Sequence, residues 1–432
     1  MRVESHDNNL SSPRPPAPAG GRRPLTPKGL RTRQALLAAA RRVFESDGYF
    51  GASVSQMGRR CGVSQGTFYQ YFSNKEQVFR ELTDEVLDAF WQKANQLRLE
   101  EMPYETALLE VIGLILEHCR HNADIHRVLN EFELIESLTI SYFDAIARFY
   151  RDFFRRAAHQ GQARTLDPNV VAYSLIGMAI FLNMDWGQPG PVFSPAELVE
   201  LTAGLLRRGI GGGKPWRPPR DLAAWPKAAR QDHELPWSDD PGAGQRTKRA
   251  IFQAAEQVFG QYGYGRANIS EITRRAGVAQ GTFYVHFPSK EDLMNGVVRF
   301  LSHELRRELR LVTNQTGDRR EKERQGMLAF FNFLRQHSQI YRIVAESEAI
   351  GPQSAQYYYS RLADGYDRSL LAGIKAKEIR PAPTGFLAHA LMGLNHMLGL
   401  RWLVWNSSSN PEIPRQALAD AVSLALFGLD PA

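Results

Sequence analysis

The chain has 432 residues, of which 43% are hydrophobic, and this is ample for the cores of two or three domains. A formal charge of +7 would assist binding to a polyanion, although charged faces are commonly just solvated. Two cysteines without a paired spacing argue against a disulfide scaffold and a zinc finger, and they fit a reducing cytosol.

Residues 1–28 are rich in proline, serine, glycine and arginine and contain no apolar run. They are therefore predicted to be disordered, and neither a signal peptide nor a membrane anchor is expected there. Their basic side chains could form an arm that contacts phosphates or a minor groove. A solubilising tail explains the same composition equally well.

Two stretches of the chain repeat each other. Residues 32–79 and 247–294 align without a gap at a spacing of 215 residues and are identical at 22 of 48 positions. The most similar part reads GVSQGTFYQYF over residues 62–72 and GVAQGTFYVHF over residues 277–287. This similarity indicates a duplicated module.

The first helix predicted in each copy is amphipathic. Leu36, Ala40 and Phe44 share one face at helical spacing, and the second copy repeats that face. Gly48 and Gly263 are expected to end these helices.

A second predicted helix begins with a capping pair, Ser53 and Gln56 in the first copy and Asn268 and Glu271 in the second. A glycine closes each of these helices, at Gly62 and its counterpart, where a residue without a Cβ takes positive φ at little cost. The spacing thus predicts a tight turn before the next helix.

The third predicted helix has about two turns. It places Phe68 and Phe72 on one face and Gly66, Thr67 and Gln70 roughly opposite. A helix, a glycine turn and a second short helix form a helix-turn-helix, whose second helix enters the DNA major groove. Threonine and glutamine side chains can hydrogen-bond base edges, and glycine lets the backbone approach a phosphate.

The repeated motif, Gly-Val-(Ser/Ala)-Gln-Gly-Thr-Phe-Tyr followed by Phe and Lys-Glu, resembles the DNA-binding domain of the TetR family of bacterial transcriptional regulators. The resemblance implies that matching positions in both copies face DNA. For Tyr69 and Tyr284, a phosphate contact is preferred over a core role because tyrosine suits half-buried sites with a polar tip. The candidate DNA-binding residues are Thr32, Gln65, Gly66, Thr67, Tyr69, Gln70, Tyr71, Lys75, Thr247, Gln280, Gly281, Thr282, Tyr284, His286 and Lys290.

Beyond each helix-turn-helix, the pattern predicts further helices and an all-α fold. In the first copy they cover residues 78–99, 104–120, 125–160, 168–186 and 194–209; in the second, 327–337, 340–377, 384–405 and 414–428. The apolar runs 170–186 and 386–405 contain polar and charged side chains, so we expect buried helices rather than membrane spans.

The expected organisation is two TetR-like units in one chain. In TetR-like proteins the last two helices of each regulatory domain form a four-helix dimer interface, so residues 168–209 should pack against 384–428 as an intramolecular pseudo-dimer. The linker, rich in proline and glycine, would span roughly 30 to 35 Å if flexible. Its tryptophans, Trp216, Trp225 and Trp237, suggest that parts of it lie against the surface. The predicted domains are a tail (1–28), a first head (29–90), a first regulatory domain (91–210), the linker (211–244), a second head (245–305) and a second regulatory domain (306–432).

The resemblance also implies a small hydrophobic effector bound among the central helices. Aromatic and methionine residues at helical spacing belong to ordinary core more often than to a pocket, and the two pockets need not both be functional. The candidate lining residues are Phe132, Tyr142, Phe143, Tyr150, Met178, Tyr357, Tyr358, Asn395 and Met397.

No catalytic motif is present, and we expect neither an enzyme nor a cofactor. His118, Cys119, His121 and His126 have metal-binding side chains, but a solvent or core role is preferred and no metal site is predicted.

The sequence thus predicts a cytoplasmic, ligand-responsive repressor that binds an asymmetric double-stranded operator, with activator action left open. It would act as a monomeric pseudo-dimer, and higher assembly on DNA is compatible with this. The alternatives are an architectural DNA-binding protein without an effector, and a protein in which one head serves only for docking.

Overall fold

A computed structural model describes residues 26–129, 136–184, 193–225, 243–406 and 411–431, and the described part is helical. The first repeat contains nine helices, with one 3-10 turn at Leu99–Glu101 between the fourth and the fifth. They are α1 (Pro27–Gly51), α2 (Val54–Cys61), α3 (Gln65–Tyr71), α4 (Lys75–Gln96), α5 (Tyr104–His121), α6 (Ala123–Leu129), α7 (Glu136–His159), α8 (Pro168–Leu182) and α9 (Pro195–Arg208).

The second repeat follows the same order, from α10 to α18. Helices α5 and α14 begin 215 residues apart, as do α6 and α15, whereas α7 and α16 end 216 apart, so the one-residue slip lies between the start of α6 and the end of α7. The helices are α10 (Ala243–Arg266), α11 (Ile269–Ala276), α12 (Gln280–His286), α13 (Lys290–Thr313), α14 (Arg319–Gln336), α15 (Ser338–Ile350), α16 (Pro352–Lys375), α17 (Thr384–Gly399) and α18 (Arg415–Phe427).

One long helix predicted from the sequence is wrong in its continuity, and a second changes its helix type near its end. The predicted helix over 340–377 is divided at Gly351, whose φ of −134° and ψ of 65° are not helical, and Pro352 then starts α16. Proline fits this first helical position because its missing N–H has no partner there. The predicted helix over 384–405 ends its α-helical part at Gly399 and continues as a π turn, Leu400–Val404. In the first repeat, residues 130–135 lie outside the described part.

The predicted starts of α2 and α11 are confirmed, whereas Gly48 and Gly263 interrupt α1 and α10 and a short helical stretch follows each of them. Ser53 and Gln56 form a capping box, and the Asn268 side chain accepts from the Glu271 backbone N–H at 2.7 Å. The Glu271 carboxylate binds arginines of the same helix rather than reaching back. Gly62 takes a φ of 72°, as expected of a left-handed helix end.

The two repeats meet along α8 and α17. Gly177 and Gly393 lie at the closest point, because a Cβ built on Gly177 would stand 2.1 Å from the carbonyl oxygen of Gly393, and the reverse distance is 2.2 Å. Only glycine permits this backbone approach. The predicted packing of residues 168–209 against 384–428 is therefore present within one chain.

The ends of α9 and α18 exchange backbone hydrogen bonds. After α9, Ile210 N–H donates to the Ala425 carbonyl at 2.9 Å, and after α18, Leu429 N–H donates to the Leu206 carbonyl at 2.8 Å. The loops before α8 and α17 add a second reciprocal pair, in which Arg164 N–H donates to the Leu429 carbonyl and Arg380 N–H to the Ile210 carbonyl. These bonds satisfy helix-end carbonyls that would otherwise lack partners.

The described part of the linker lies against the second repeat. Arg320 donates to the Lys214 carbonyl at 2.6 Å, and its guanidinium lies 5.1 Å from the Trp216 ring centre. Arg324 donates to the Ala224 carbonyl at 2.8 Å. Residues 211–225 therefore lie against the surface, as expected from Trp216, while 226–242 lie outside the described residues.

Helices α8 and α17 are the most apolar elements, and each is buried along nearly its whole length. Across the described ranges, no helix combines the length and the apolarity needed to cross a membrane. The two apolar runs of the sequence are therefore core helices of the regulatory halves.

Candidate nucleic-acid interface and regulatory cavity

Helices α3 and α12 expose the side chains that the sequence predicts to face DNA. Gln65, Gly66 and Gln70 are exposed on α3, and their counterparts at 280, 281 and 285 are exposed on α12. Tyr69 and Tyr284 are 47% and 49% exposed. Each head therefore presents a tyrosine and a glutamine beside a glycine that lets a phosphate approach closely.

The opposite face of each helix holds it on the head. Phe68 and Phe283 are fully buried, and Phe72 and Phe287 lie beside them at ring-centre distances of 5.5 and 5.8 Å. These four phenylalanines are core residues, as predicted. Their packing fixes which side chains of α3 and α12 point outward.

The two presented faces are not identical. Val285, which is 80% exposed, stands where the first head has Gln70, and His286 stands where it has Tyr71. Glutamine can bond an adenine edge in two places, whereas valine offers only an apolar contact such as the thymine methyl group. The heads therefore differ in the chemistry available for base recognition.

The helix starts differ as well. Ser64 caps α3 by accepting from the Thr67 N–H at 3.1 Å, and its hydroxyl lies 3.0 Å from the Thr67 hydroxyl. Ala279 starts α12 and makes no side-chain cap bond. The predicted Thr32 lies on α1, where its hydroxyl donates to the Lys28 carbonyl at 3.1 Å.

The phosphate contact predicted for Lys75 and Lys290 stays a prediction, and both ammonium groups bond backbone carbonyls within their own heads. The Lys75 ammonium donates to the carbonyls of Tyr49 and Ala52 at 2.7 and 3.1 Å, and it lies 4.6 Å from the Tyr49 ring centre. Lys290 repeats this geometry on the second head, with bonds of 2.7 and 2.8 Å. Both lysines thus tie the start of a long helix to the segment after the first helix, which positions the head.

Replacing Lys75 with alanine should destabilise the first head by about 2 kcal/mol, because charge-assisted bonds to two backbone carbonyls are lost. DNA affinity should fall, whereas the slope of log Kd against log salt should stay unchanged. Urea unfolding and a salt titration of operator binding measure the two effects, with Lys290→Ala as the matched variant. If the slope of log Kd against log salt became flatter by about one unit at unchanged stability, Lys75 would instead contact a phosphate.

The heads are attached to the regulatory halves in different ways. In the first repeat, Arg41 on α1 forms a bidentate pair with Asp124 on α6, at 2.6 and 2.8 Å, and this pair raises the pKa of Arg41. The second head has Glu256 at the position of Arg41. There, Glu346 on α15 accepts from the Tyr264 backbone N–H at 3.1 Å. The first head is therefore held by an Arg–Asp pair, whereas in the second repeat the equivalent Glu256 carboxylate lies 3.4 Å from His337 Nδ1.

In the described part of the first repeat, the regulatory core around Tyr142 is filled, and a pocket of about 710 Å³ lies beside it between α6, α8 and the start of α16. The Tyr142 hydroxyl lies 2.8 Å from His118 Nε2 and 3.1 Å from His126 Nε2, and all three side chains are buried. Burial lowers the pKa of His118 to about 3, with a smaller contribution from His126, whose own pKa is lowered to about 4. These neutral histidines satisfy a buried tyrosine. Their geometry supports the core role preferred over a metal site.

The regulatory core of the second repeat contains a cavity of about 250 Å³ between α13, α14, α16 and α17. Its inner wall includes Phe330, Tyr341, Tyr358 and His396, and burial lowers the pKa of His396 to about 3. Asn395 Oδ1 is also buried at this wall and has no hydrogen-bond partner. The cavity therefore combines an apolar interior with an unsatisfied acceptor.

The predicted ligand residues divide between core and cavity. Tyr358 and Asn395 line the cavity, whereas Tyr357 does not line it and stacks with Arg299 and with the rim residue Arg361. Met397 lies at the interface with Gly177. Phe132 lies outside the described residues. The other predicted first-repeat residues, Tyr142, Phe143, Tyr150 and Met178, are fully or almost fully buried in the core.

Sequence reasoning missed the charged side chains around this cavity. They stand on α13, α14 and α16 among apolar residues, and a comparison of the two repeats at the fixed spacing would have singled them out. They are Arg306, Arg310, Lys322, Arg361 and Arg368.

A larger cleft of about 1010 Å³ lies between α4, α5 and α9 of the first repeat and α16 and α17 of the second. Its charges have both signs, and Lys93 pairs with Glu117 at 2.9 Å. Met184 and Phe193, which line it, flank residues outside the described part.

Comparison with known proteins agrees with the duplicated heads. Residues 36–82 and 251–297 each match the family described as bacterial regulatory proteins, tetR family. YhgD of Bacillus subtilis, an uncharacterized HTH-type transcriptional regulator, is 23% identical over 176 residues, which cover 40% of this chain and 90% of the relative. The HTH-type transcriptional activator FasR of Mycolicibacterium smegmatis is 36% identical over 97 residues, covering 22% of this chain and 44% of the relative.

Among solved structures, the fatty acid degradation regulator FadR from Bacillus halodurans is 22% identical, with a TM-score of 0.36. The match covers 42% of this chain and 96% of FadR. The two matched stretches show that the chain carries two DNA-binding domains of the tetR family of bacterial regulatory proteins in one polypeptide.

Proposed function

We propose that the chain is a ligand-responsive repressor that binds one asymmetric DNA operator as a single polypeptide. Its two repeats take the places of the two subunits of a dimer. The observation that carries the proposal is the pair of exposed, non-identical helices α3 and α12, joined in one particle through α8 and α17. Two such helices about one DNA turn apart, some 34 Å, can enter successive major grooves.

The different exposed faces support two unlike half-sites. Gln70 supplies both a donor and an acceptor to a base edge, whereas Val285 supplies only apolar contact. Tyr71 and His286 also offer different polar groups. Because specificity comes from base contacts, equal half-sites would leave one head poorly matched.

The cavity supports a response to a small effector. Helix α13 begins at Lys290, which is anchored to the second head, and its last turns line the cavity with Leu305 and Leu309. A ligand that displaces these turns would therefore move the head at the other end of the same helix. Reduced DNA binding then follows if the ligand prefers the displaced arrangement.

An architectural DNA-binding protein without an effector would have regulatory halves that are packed without a ligand cavity. A cavity of about 250 Å³ with Asn395 Oδ1 buried and unpartnered favours the ligand-responsive function instead, because buried polar groups normally have partners. We expect the regulation to be repression, because a protein bound over a promoter blocks transcription.

Selection of binding sites from random duplex DNA tests the DNA-binding part of the proposal. We expect two unlike half-sites whose centres lie about 10 base pairs apart, and a complex mass of one chain per duplex. Tyr69→Ala and Tyr284→Ala should each lower the affinity at least about tenfold. A strictly palindromic selected site, or an unchanged DNA affinity of the Tyr284→Ala variant, would contradict asymmetric recognition by two heads.

A further inference from the structure

The cavity of the second repeat has a strongly basic rim. Arg306 and Arg310 on α13, Lys322 on α14, and Arg361 and Arg368 on α16 all line it. Within the ranges that the structure describes, none of these five side chains forms an ion pair. Five unneutralised cations around one opening create a positive potential that favours an anion.

The acidic residue of this cavity is already neutralised. Glu323 pairs with Arg319 at 2.8 Å and accepts from the Tyr366 hydroxyl at 2.7 Å, so its carboxylate has two partners within the protein. It therefore does not offset the cations of the rim. Deeper in the cavity are the Phe330 ring and Asn395 Oδ1, which has no hydrogen-bond partner among the described residues. They suit a ligand whose inner part is largely apolar and carries one hydrogen-bond donor.

The first repeat has none of these cations at the corresponding positions. The spacing of 215 residues places Trp91 at Arg306, Asn95 at Arg310 and Ala107 at Lys322, and the spacing of 216 places Ala145 at Arg361 and Asp152 at Arg368.

The space inside differs as well. Val111 of the first repeat corresponds to Gly326, which lines the cavity. Tyr142 corresponds to Tyr358, and its hydroxyl is held between two buried histidines in the filled core. The duplicated fold therefore has its basic cavity in the second half.

We propose that each chain binds one effector, in the second repeat only, and that this effector is an amphipathic anion. Its apolar body lies among α14, α16 and α17, and its anionic group lies at the rim between α13 and α16. The inference rests on the proposed ligand response and limits that response to the second repeat. The effector moves α13 and the second head, while the Arg41–Asp124 pair keeps the first head in place.

The volume sets the scale of the ligand. About 250 Å³ is just below the range of roughly 300 to 1,000 Å³ typical of pockets for drug-sized molecules, so the enclosed body is small. An anilinonaphthalene is a suitable probe class. The fluorescent dye 1-anilinonaphthalene-8-sulfonate carries an anionic group, and N-phenyl-1-naphthylamine is the same aromatic body without it.

Fluorescence titration of the full chain with both dyes tests the proposal. We expect one equivalent of the sulfonate per chain, bound at least about tenfold more tightly than the uncharged dye. Inorganic phosphate alone should not displace it, because a bare anion leaves the apolar interior empty. Two equivalents of similar affinity, or equal binding of the two dyes, would overturn the proposal.

Variants locate the site. The double variant Arg306→Gln/Arg310→Gln should weaken the sulfonate about tenfold or more and leave the uncharged dye unchanged. Gly326→Val should weaken both dyes, and thermal unfolding checks that each variant is folded. Lys93→Gln in the larger cleft is the matched control and should leave the affinity for both dyes unchanged. If Lys93→Gln weakens the sulfonate while the double arginine variant does not, the assignment is wrong.

Operator binding in the presence of the sulfonate separates this inference from the proposed function. If the dye occupies the second repeat and DNA affinity does not change, the anion site stands and the ligand-responsive regulation fails. If DNA affinity falls but the response survives Gly326→Val and the double arginine change, regulation stands and the one-sided site fails.

Discussion

Replacing Gly177 with alanine is expected to destabilise the protein by about 2 to 3 kcal/mol, since overpacking a closely fitted core typically costs this much. The new methyl group would stand 2.1 Å from the Gly393 carbonyl oxygen, and that neighbour is backbone rather than a flexible side chain. Helices α8 and α17 must therefore separate. Urea unfolding measures the loss, and operator affinity should fall with it because the spacing of the heads changes.

Gly113→Ala on α5 is the matched control. A Cβ there would have its nearest neighbour at 3.8 Å, an ordinary contact with Val199. Alanine also favours the helix over glycine by up to about 1 kcal/mol, so this variant should be neutral or more stable. Equal stability of the Gly177 and Gly113 variants would show that the close approach of α8 and α17 is not needed.

The double change Val285→Gln/His286→Tyr is expected to convert the second head to the specificity of the first. Affinity for the native operator should fall about 10- to 100-fold, because each mismatched contact costs roughly 1 to 3 kcal/mol. Affinity for a symmetric operator made from two copies of the first half-site should rise correspondingly. Competition binding with both duplexes measures the exchange.

Ala279→Ser provides the control for this exchange. It gives α12 the cap that Ser64 gives α3, so it should stabilise the second head by about 1 kcal/mol without changing which base sequence is preferred. If the double change leaves the half-site preference as it was, positions 285 and 286 do not read bases.

The heads could be predicted from the sequence because their determinants are local. The capping pair at Ser53, the positive φ of Gly62 and the two-turn helix after it depend on residues a few positions apart. The partners of Lys75 could not be predicted in this way. They depend on where the chain after α1 lies in space, some 25 residues earlier in the sequence.

The regulatory halves could be predicted as helices but not as a site. Tyr142 and Tyr358 occupy equivalent positions on α7 and α16, yet one is enclosed by histidines and the other lines a cavity. Their neighbours come from other helices, so helical spacing alone cannot separate the two environments. The break at Gly351 could have been predicted, because a glycine followed by proline is a typical helix boundary.

The reciprocal bonds between the ends of α9 and α18 join two halves that are synthesised together on one ribosome. For a particle of this kind, no encounter between free subunits has to precede operator binding, since a tether makes that pairing intramolecular. Promoter occupancy should then rise with the first power of the number of chains rather than with its square. Related regulators in the same cell would also have no free α8 surface with which to form mixed assemblies.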